Sequence, residues 1–144
     1  MQITPVTIPA PDGFNLSATT FLPDDNPTAT AVVIDSATAV PQHFYRAFAS
    51  FLAGQGYRVL TFDYRGIGKS KTGSLRGFEA RARDWALKDM AGVVDWVEEQ
   101  WAPKRHFHVG HSFGGQTLGL LPNADRVHAL VTLSAQSGYW GLQG

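Results

Sequence analysis

The sequence predicts an α/β fold in which a mainly parallel sheet follows an antiparallel hairpin. From Ala29 onward, short apolar runs typical of buried strands alternate with segments of helical periodicity. Such alternation favours right-handed βαβ units and a parallel sheet. A second observation is the run from His106 to Gly115, where a short strand passes through Gly-x-Ser-x-Gly into a helix. The third is a pair of alternating segments, residues 3–8 and 14–22, separated by a Pro-Asp-Gly turn that indicates a hairpin.

Composition and charge narrow the classes of function. The 144 residues predict one domain, and the twelve basic residues balance the twelve acidic ones. We therefore expect no nucleic-acid partner, since such binding needs a basic excess. The absence of cysteine excludes a disulfide scaffold and a zinc–thiolate site, and nothing suggests a metal or an organic cofactor. No signal peptide is recognisable and no apolar run reaches the roughly 18 residues of a membrane span, so we expect a cytoplasmic protein.

The remaining elements follow from hydrophobic periodicity. It predicts strands over 29–34, 57–62, 106–109 and 127–134, and helices near 44–52, 77–101 and 113–121. We expect the aromatic stripe of the first helix to pack in the core; it consists of Phe44, Phe48 and Phe51. In the long second helix, we expect Asp89 to lie outside the buried stripe.

Ser112 is the candidate nucleophile. A serine on a tight strand-to-helix turn exposes its hydroxyl beside backbone N–H groups of the new helix. Glycine is required at Gly110 and Gly114 because neighbouring chain passes too close for a Cβ atom. The alternative role for Ser112 is that of a helix-capping serine.

Three motifs together resemble the first half of an α/β-hydrolase, in its lipase-like and serine-aminopeptidase-like branch. They are the hairpin turn Pro11-Asp12-Gly13, the Asp-x-Arg-Gly-x-Gly-x-Ser loop at 63–70, and the nucleophile elbow at 110–115. The resemblance covers essentially the whole chain. It implies hydrolysis of a small-molecule ester, thioester or amide through an acyl-enzyme on Ser112. It also implies that residues 1–144 are the N-terminal part of a single domain, truncated after about the sixth strand.

The resemblance also assigns an oxyanion hole. One donor would be the backbone N–H of Phe113, directly after the nucleophile. The family's His-Gly pair falls on Ser36-Ala37, so the second donor would be the N–H of Ala37 or Thr38. Neither histidine nor glycine is present there.

A base for the serine is missing from the sequence. In the family the acid and the histidine follow the serine, yet after Ser112 the only acid is Asp125 and the only histidine is His128. We expect both at the opposite end of the sheet. His43 is an outside candidate near the oxyanion loop, and His111 adjoins the nucleophile and cannot turn back to it. The other two histidines, His106 and His108, share one face of their strand and are expected to be core or surface groups.

Other readings of the chain remain open. A chain with this fold but no triad is expected to act as a binding or assembly module, and the exposed edge of its last strand predicts self-association. Gly68-Lys69-Ser70 ends like a phosphate-binding P-loop, although Asp63 stands where that motif requires glycine. Gln136–Gly141 resembles the beginning of an insertion after the last strand.

Overall fold

The protein, described in a computed structural model for residues 1–25, 27–137 and 141, contains one sheet of six strands in this part of the chain. The strands are β1 (Gln2–Pro9), β2 (Asn15–Leu22), β3 (Thr30–Asp35), β4 (Arg58–Phe62), β5 (Arg105–His111) and β6 (Ala129–Leu133). Their spatial order is β1-β2-β4-β3-β5-β6. β1, β2 and β4 pair antiparallel, whereas β4, β3, β5 and β6 pair parallel. The predicted mainly parallel sheet with an N-terminal antiparallel hairpin is confirmed.

The α-helices of the described residues differ in their bounds from the predicted ones. They are α1 (Arg46–Gly54), α2 (Ala82–Asp84), α3 (Ala91–Trp101) and α4 (Phe113–Gln116), and a π-helical segment over Trp85–Met90 joins α2 to α3. The long helix begins five residues later than the predicted residue 77, because Gly77 has a left-handed φ of 78° that a helix excludes. α4 is shorter than predicted, since its two central residues are glycines of low helix propensity.

The core has two layers, one on each side of the sheet. The layer beneath α3 includes Val33, Leu60, Phe62, Met90, Val93 and Val97. The layer beneath α1 includes Val32, Ile34, Tyr45, Ala49, Ala53 and Val59. β3 supplies residues to both layers and is buried along its whole length, which agrees with its continuous apolar run. No helix in the described part of the chain is long and apolar enough to cross a membrane.

The prediction that the aromatic stripe of α1 packs in the core is wrong. Phe44 is 66% exposed and Phe51 61% exposed, while the helix turns Ala49 and Ala53 toward the sheet together with Tyr45. Both stripes repeat with helical spacing, so periodicity does not distinguish them. The alanine stripe is the buried one, and the phenylalanines lie on the surface beside it.

The prediction that Asp89 lies outside the buried stripe is also wrong. Asp89 is fully buried and accepts hydrogen bonds from the Arg65 backbone N–H and from its Nε, both at 2.8 Å. The Arg65 guanidinium also reaches Asp12 in the β1–β2 turn at 2.7 Å. Asp89 is therefore buried because it is paired with an arginine from another segment.

β6 forms one edge of the sheet and is poorly covered. Val131 and Leu133 are 55% and 47% exposed, on the side of the sheet that carries α1. Half of the expected insertion over 136–141, residues 138–140, lies outside the described residues. Within the described part, the predicted exposed edge and uncovered apolar face at the last strand are confirmed.

Candidate active site

Ser112 occupies the turn between β5 and α4. Its backbone has φ 51° and ψ −113°, a left-handed φ that non-glycine residues rarely adopt. Two hydrogen bonds hold this conformation: the Ser112 N–H donates to the Leu133 carbonyl at 2.8 Å, and the Gly115 N–H donates to the Ser112 carbonyl at 3.0 Å. Such locally strained backbone is concentrated at functional sites. It turns the side chain out of the strand at the carboxyl edge of the sheet, where α/β proteins place their ligands.

The glycines around Ser112 are sterically required. A Cβ atom at Gly110 would lie 2.5 Å from the Gly115 Cα, and one at Gly114 would lie 2.3 Å from the Asp35 carbonyl oxygen. A Cβ atom at Gly115 would lie 2.8 Å from the Ala135 Cβ. The contacts at Gly110 and Gly114 are with backbone, which no side-chain rotation relieves. The chain thus packs around the elbow at distances that only glycine permits.

The predicted oxyanion residues face the same edge of the sheet. Phe113 is the first residue of α4, where a backbone N–H has no partner within the helix. The Ala37 N–H, in contrast, donates to the Tyr45 hydroxyl at 2.9 Å, and that hydroxyl contacts His111 Nδ1 at 2.9 Å. The Ala37 N–H is therefore already hydrogen-bonded to Tyr45.

A cavity of about 240 Å³ adjoins Thr38 and Phe113. Its walls are mostly apolar and include Ile67, Leu75, Phe78 and Trp85. Trp85 stacks on Tyr64 with 5.0 Å between ring centroids and donates its indole N–H to the Arg65 carbonyl at 3.1 Å. A pocket with aromatic and aliphatic walls suits an apolar group.

All five histidines of the sequence lie in the described part, and none hydrogen-bonds Ser112. His128 Nδ1 accepts the backbone N–H of His106 at 3.0 Å, at the amino end of β5. His128 is thus at the far end of the strand from Ser112, as predicted. His111 is held by Tyr45, and His43 lines a different, larger cavity.

The loop from Asp63 to Ser70 does not form a phosphate cradle. The Asp63 carboxylate accepts from the Gln42 N–H at 2.7 Å, from Gln42 Nε2 at 3.0 Å and from the Lys69 N–H at 3.1 Å. A Cβ at Gly68 would lie 2.6 Å from that carboxyl group. Only a single 3₁₀ turn follows, Gly68–Ser70, whereas a P-loop requires a helix there. A carboxylate fills the space in which a phosphate would sit.

The sheet order, the elbow and the loop after β4 together define the class of this protein: it is an α/β-hydrolase. Residues 26–140 match the model of the family described as serine aminopeptidase, S33, and the chain belongs to that family. An uncharacterized abhydrolase domain-containing protein of Dictyostelium discoideum is 35% identical over 104 residues, which cover 72% of this chain and 10% of that protein. Epoxide hydrolase B of Mycobacterium tuberculosis is 31% identical over 98 residues, which cover 65% of this chain and 26% of that enzyme.

Solved structures agree with this assignment. Esterase Pf2001 of Pyrococcus furiosus superposes with a TM-score of 0.76 at 25% identity, covering 93% of this chain and 51% of the esterase. The protein XC6422 of Xanthomonas campestris, described as an a/b serine hydrolase without lid, superposes with a TM-score of 0.74 at 20% identity, covering 97% and 64% of the two chains. The chain thus spans about half the length of the esterase, and a smaller part of the sequence relatives.

Two features of the site were missed by sequence reasoning. One is the Tyr45 hydroxyl, which accepts the Ala37 N–H and contacts His111. In the sequence Tyr45 lies within a stripe of apolar residues, so nothing there indicates this polar role. The other is a chain of buried polar groups that begins at Asp35. The sequence does contain an indication of these groups, because Asp35 directly follows an apolar run and two histidines alternate on one face of β5.

Proposed function

We propose that this chain carries the nucleophile-bearing half of a serine hydrolase that cleaves a carboxylic ester, thioester or amide through an acyl-enzyme on Ser112. The observation that carries the proposal is the left-handed backbone of Ser112 at a strand-to-helix turn walled by obligatory glycines. Ser112 makes no side-chain cap to α4, which argues against the helix-capping role. The proposal is supported by relatives that are named hydrolases and esterases.

In this mechanism two backbone N–H groups stabilise the oxyanion that forms when Ser112 attacks a carbonyl carbon. The N–H of Phe113 is the first. The engagement of Ala37 by Tyr45 favours Thr38 as the second, and the apolar cavity beside Thr38 and Phe113 would receive the acyl chain.

We further propose that the acid and the histidine of the triad come from residues outside this chain, and that residues 1–144 form the N-terminal part of one hydrolase domain. The positions of the five histidines support this, since each lies elsewhere or is held by another group. A serine hydroxyl without an adjacent base is a weak nucleophile. Activity is therefore expected from a longer form of the protein.

A fluorophosphonate probe tests this proposal. In any natural form that continues beyond Gly144, we expect Ser112 to be phosphonylated, and the Ser112→Ala variant to lose labelling. In the 144-residue chain we expect labelling slower by about two orders of magnitude or more, because general-base assistance is worth roughly 10²–10⁴ in rate. Peptide mass spectrometry locates the label.

The matched control is Ser74→Ala, which removes an exposed serine of a loop and should leave labelling unchanged. Fast labelling of the 144-residue chain that survives both His43→Ala and His128→Ala would contradict the proposed origin of the base. Labelling at serines other than Ser112 would contradict the proposed nucleophile.

A second candidate function is a non-catalytic binding or assembly module, favoured by one observation: an exposed apolar surface around β6. Phe44 and Phe48 of the α1 region and Leu133 of β6 line a cavity of about 280 Å³ on this surface, and Val131 lies beside them. Together with an unpaired strand edge, such a surface favours association. We propose that the 144-residue chain self-associates through it.

Val131→Lys is expected to weaken this self-association, because a lysine on an edge strand opposes pairing and its charge resists burial. Light scattering after size-exclusion chromatography should show the wild-type chain above its monomer mass of 15.7 kDa and the variant nearer to it. Leu87→Lys, at an exposed apolar residue of the π-helical segment, serves as the control and should not change the mass. A wild-type chain that stays monomeric at every concentration would contradict the proposal.

A further inference from the structure

A continuous chain of four polar side chains crosses the core beneath the elbow. Asp35 Oδ2 lies 2.6 Å from His108 Nδ1, His108 Nε2 lies 3.1 Å from His106 Nε2, and His106 Nδ1 lies 2.8 Å from Glu98 Oε1. We call this set the Asp35–Glu98 chain. It runs from the carboxyl end of β3, through β5, to α3. The site described above assigns no role to it.

The two ends of the chain lie in different environments. Asp35 and both histidines are completely buried, in the core layer that packs beneath α3, whereas Glu98 is 25% exposed. Asp35 Oδ1 is buried and finds no donor among the residues that the structure describes. A charge is therefore well solvated at the Glu98 end and poorly solvated at the Asp35 end.

Counting protons restricts what the chain can hold. Each of the three contacts joins two atoms, a carboxylate oxygen or an imidazole nitrogen, that need not carry a hydrogen. One of the two atoms must therefore be protonated for the contact to be a hydrogen bond. Three protons on two carboxylates and two imidazoles leave a net charge of −1. That charge resides on Glu98 when Asp35 is protonated and both histidines are neutral. Alternatively, both carboxylates are ionised and one histidine is an imidazolium, or Glu98 is protonated and the charge resides on Asp35.

We propose that Asp35 is a neutral carboxylic acid that donates its proton to His108 Nδ1, and that the Asp35–Glu98 chain keeps its single negative charge at Glu98. His108 then donates from Nε2 to His106, and His106 donates from Nδ1 to Glu98. Both histidines are neutral, with the proton on Nε2 in His108 and on Nδ1 in His106. Asp35 is a positioning residue in this arrangement: it joins the end of β3 to β5.

The surroundings of each buried group support this arrangement. Burial raises the pKa of Asp35, against the opposing influence of His108. Burial lowers the pKa of His106 to about 4, while Glu98 opposes the shift. The other titratable groups nearby are Tyr64, which donates to the Ser36 carbonyl at 3.2 Å beside Asp35, and His128 at the backbone of His106. Tyr64 supplies no positive charge that would hold Asp35 ionised.

The arrangement has a consequence for the elbow. Asp35 directly precedes the loop that carries Thr38, and its carbonyl packs against Gly114 of α4. A negative charge at Asp35 would repel the oxyanion that the backbone N–H groups are proposed to stabilise. A neutral Asp35 removes that conflict. The inference itself does not rest on the proposed function, because it is tested without a substrate.

Imidazole nitrogen chemical shifts test the proposal directly. In the uniformly ¹⁵N-labelled chain, two-bond ¹H–¹⁵N correlation spectra distinguish the two neutral tautomers and the imidazolium. We expect His108 as the Nε2–H tautomer and His106 as the Nδ1–H tautomer at neutral pH. An imidazolium signal from either residue at neutral pH would overturn the proposal.

Two buried aspartates provide a matched pair of variants for urea denaturation at pH 7. Asn at position 35 reproduces a protonated carboxyl, because its amide N–H can donate to His108, so Asp35→Asn should unfold at the wild-type urea midpoint or above it. Asp63 accepts three N–H donors and has no proton to give, so Asp63→Asn should unfold at a clearly lower midpoint. Equal losses in the two variants would overturn the proposal.

Discussion

Replacing Gly114 with alanine is expected to cost about 3–5 kcal/mol of the free energy of unfolding, which is much of the stability of a typical domain. The new Cβ would lie 2.3 Å from the Asp35 carbonyl oxygen and 2.7 Å from its carbonyl carbon. Both atoms belong to the end of a central strand, so relief requires α4 to move away from β3. Urea denaturation followed by circular dichroism measures the loss.

Gly54→Ala is the matched control for this substitution. Gly54 ends α1 and has no atom within 4 Å of an added Cβ. We expect a change of less than about 1 kcal/mol, in the stabilising direction, because alanine favours the helix over glycine. If Gly114→Ala unfolded within about 1 kcal/mol of the wild type, the close packing of α4 against β3 would be contradicted.

Replacing Arg65 with methionine is expected to cost about 3–5 kcal/mol, the usual range when one partner of a buried ion pair is removed. Arg65 Nη2 lies 2.7 Å from the fully buried Asp89 and Nη1 lies 2.7 Å from Asp12. Methionine retains the apolar stem above the Phe14 ring, where the guanidinium carbon lies 4.8 Å from the centroid. The loss therefore reports the charge left unpaired at Asp89.

Lys88→Met is the control, because Lys88 is exposed and approaches Asp84 at 3.3 Å and Asp12 at 3.8 Å only at the surface. Its effect should stay below about 1 kcal/mol. The double variant Arg65→Met/Asp89→Leu should recover part of the loss, since no buried charge then remains unpaired. A double variant as unstable as Arg65→Met alone would contradict this explanation.

The cost of Arg65→Met should also depend on pH. Arg65 lowers the pKa of Asp12 to about 2 from an ordinary value of 3.8. A lowered pKa in the folded state means that this contribution is complete above about pH 4 and is lost as the pH falls toward 2. The difference between wild type and variant should therefore shrink over that interval. A difference that is constant from pH 5 to pH 2 would contradict the pairing of Arg65 with Asp12.

Much of the fold could be predicted because it depends on local patterns. The alternation of β2, the apolar run of β3 and the glycine pattern around Ser112 are each properties of one segment. The end of α4 was predicted less accurately. Two adjacent glycines weaken a helix, and the packing of neighbouring elements decides whether the helix continues beyond them. The sequence did not distinguish Ala37 from Thr38 as an oxyanion donor, and only the structure shows that the Ala37 N–H donates to the Tyr45 hydroxyl.

The sequence by itself determined the α/β architecture and the position of Ser112 at the turn between β5 and α4. Only the tertiary structure decided which stripe of α1 is buried, and that Asp89 and Asp35 lie in the core. The reason is that periodicity describes one segment, whereas burial depends on what packs against it. An aspartate is buried when another segment supplies its partner, Arg65 in one case and His108 in the other.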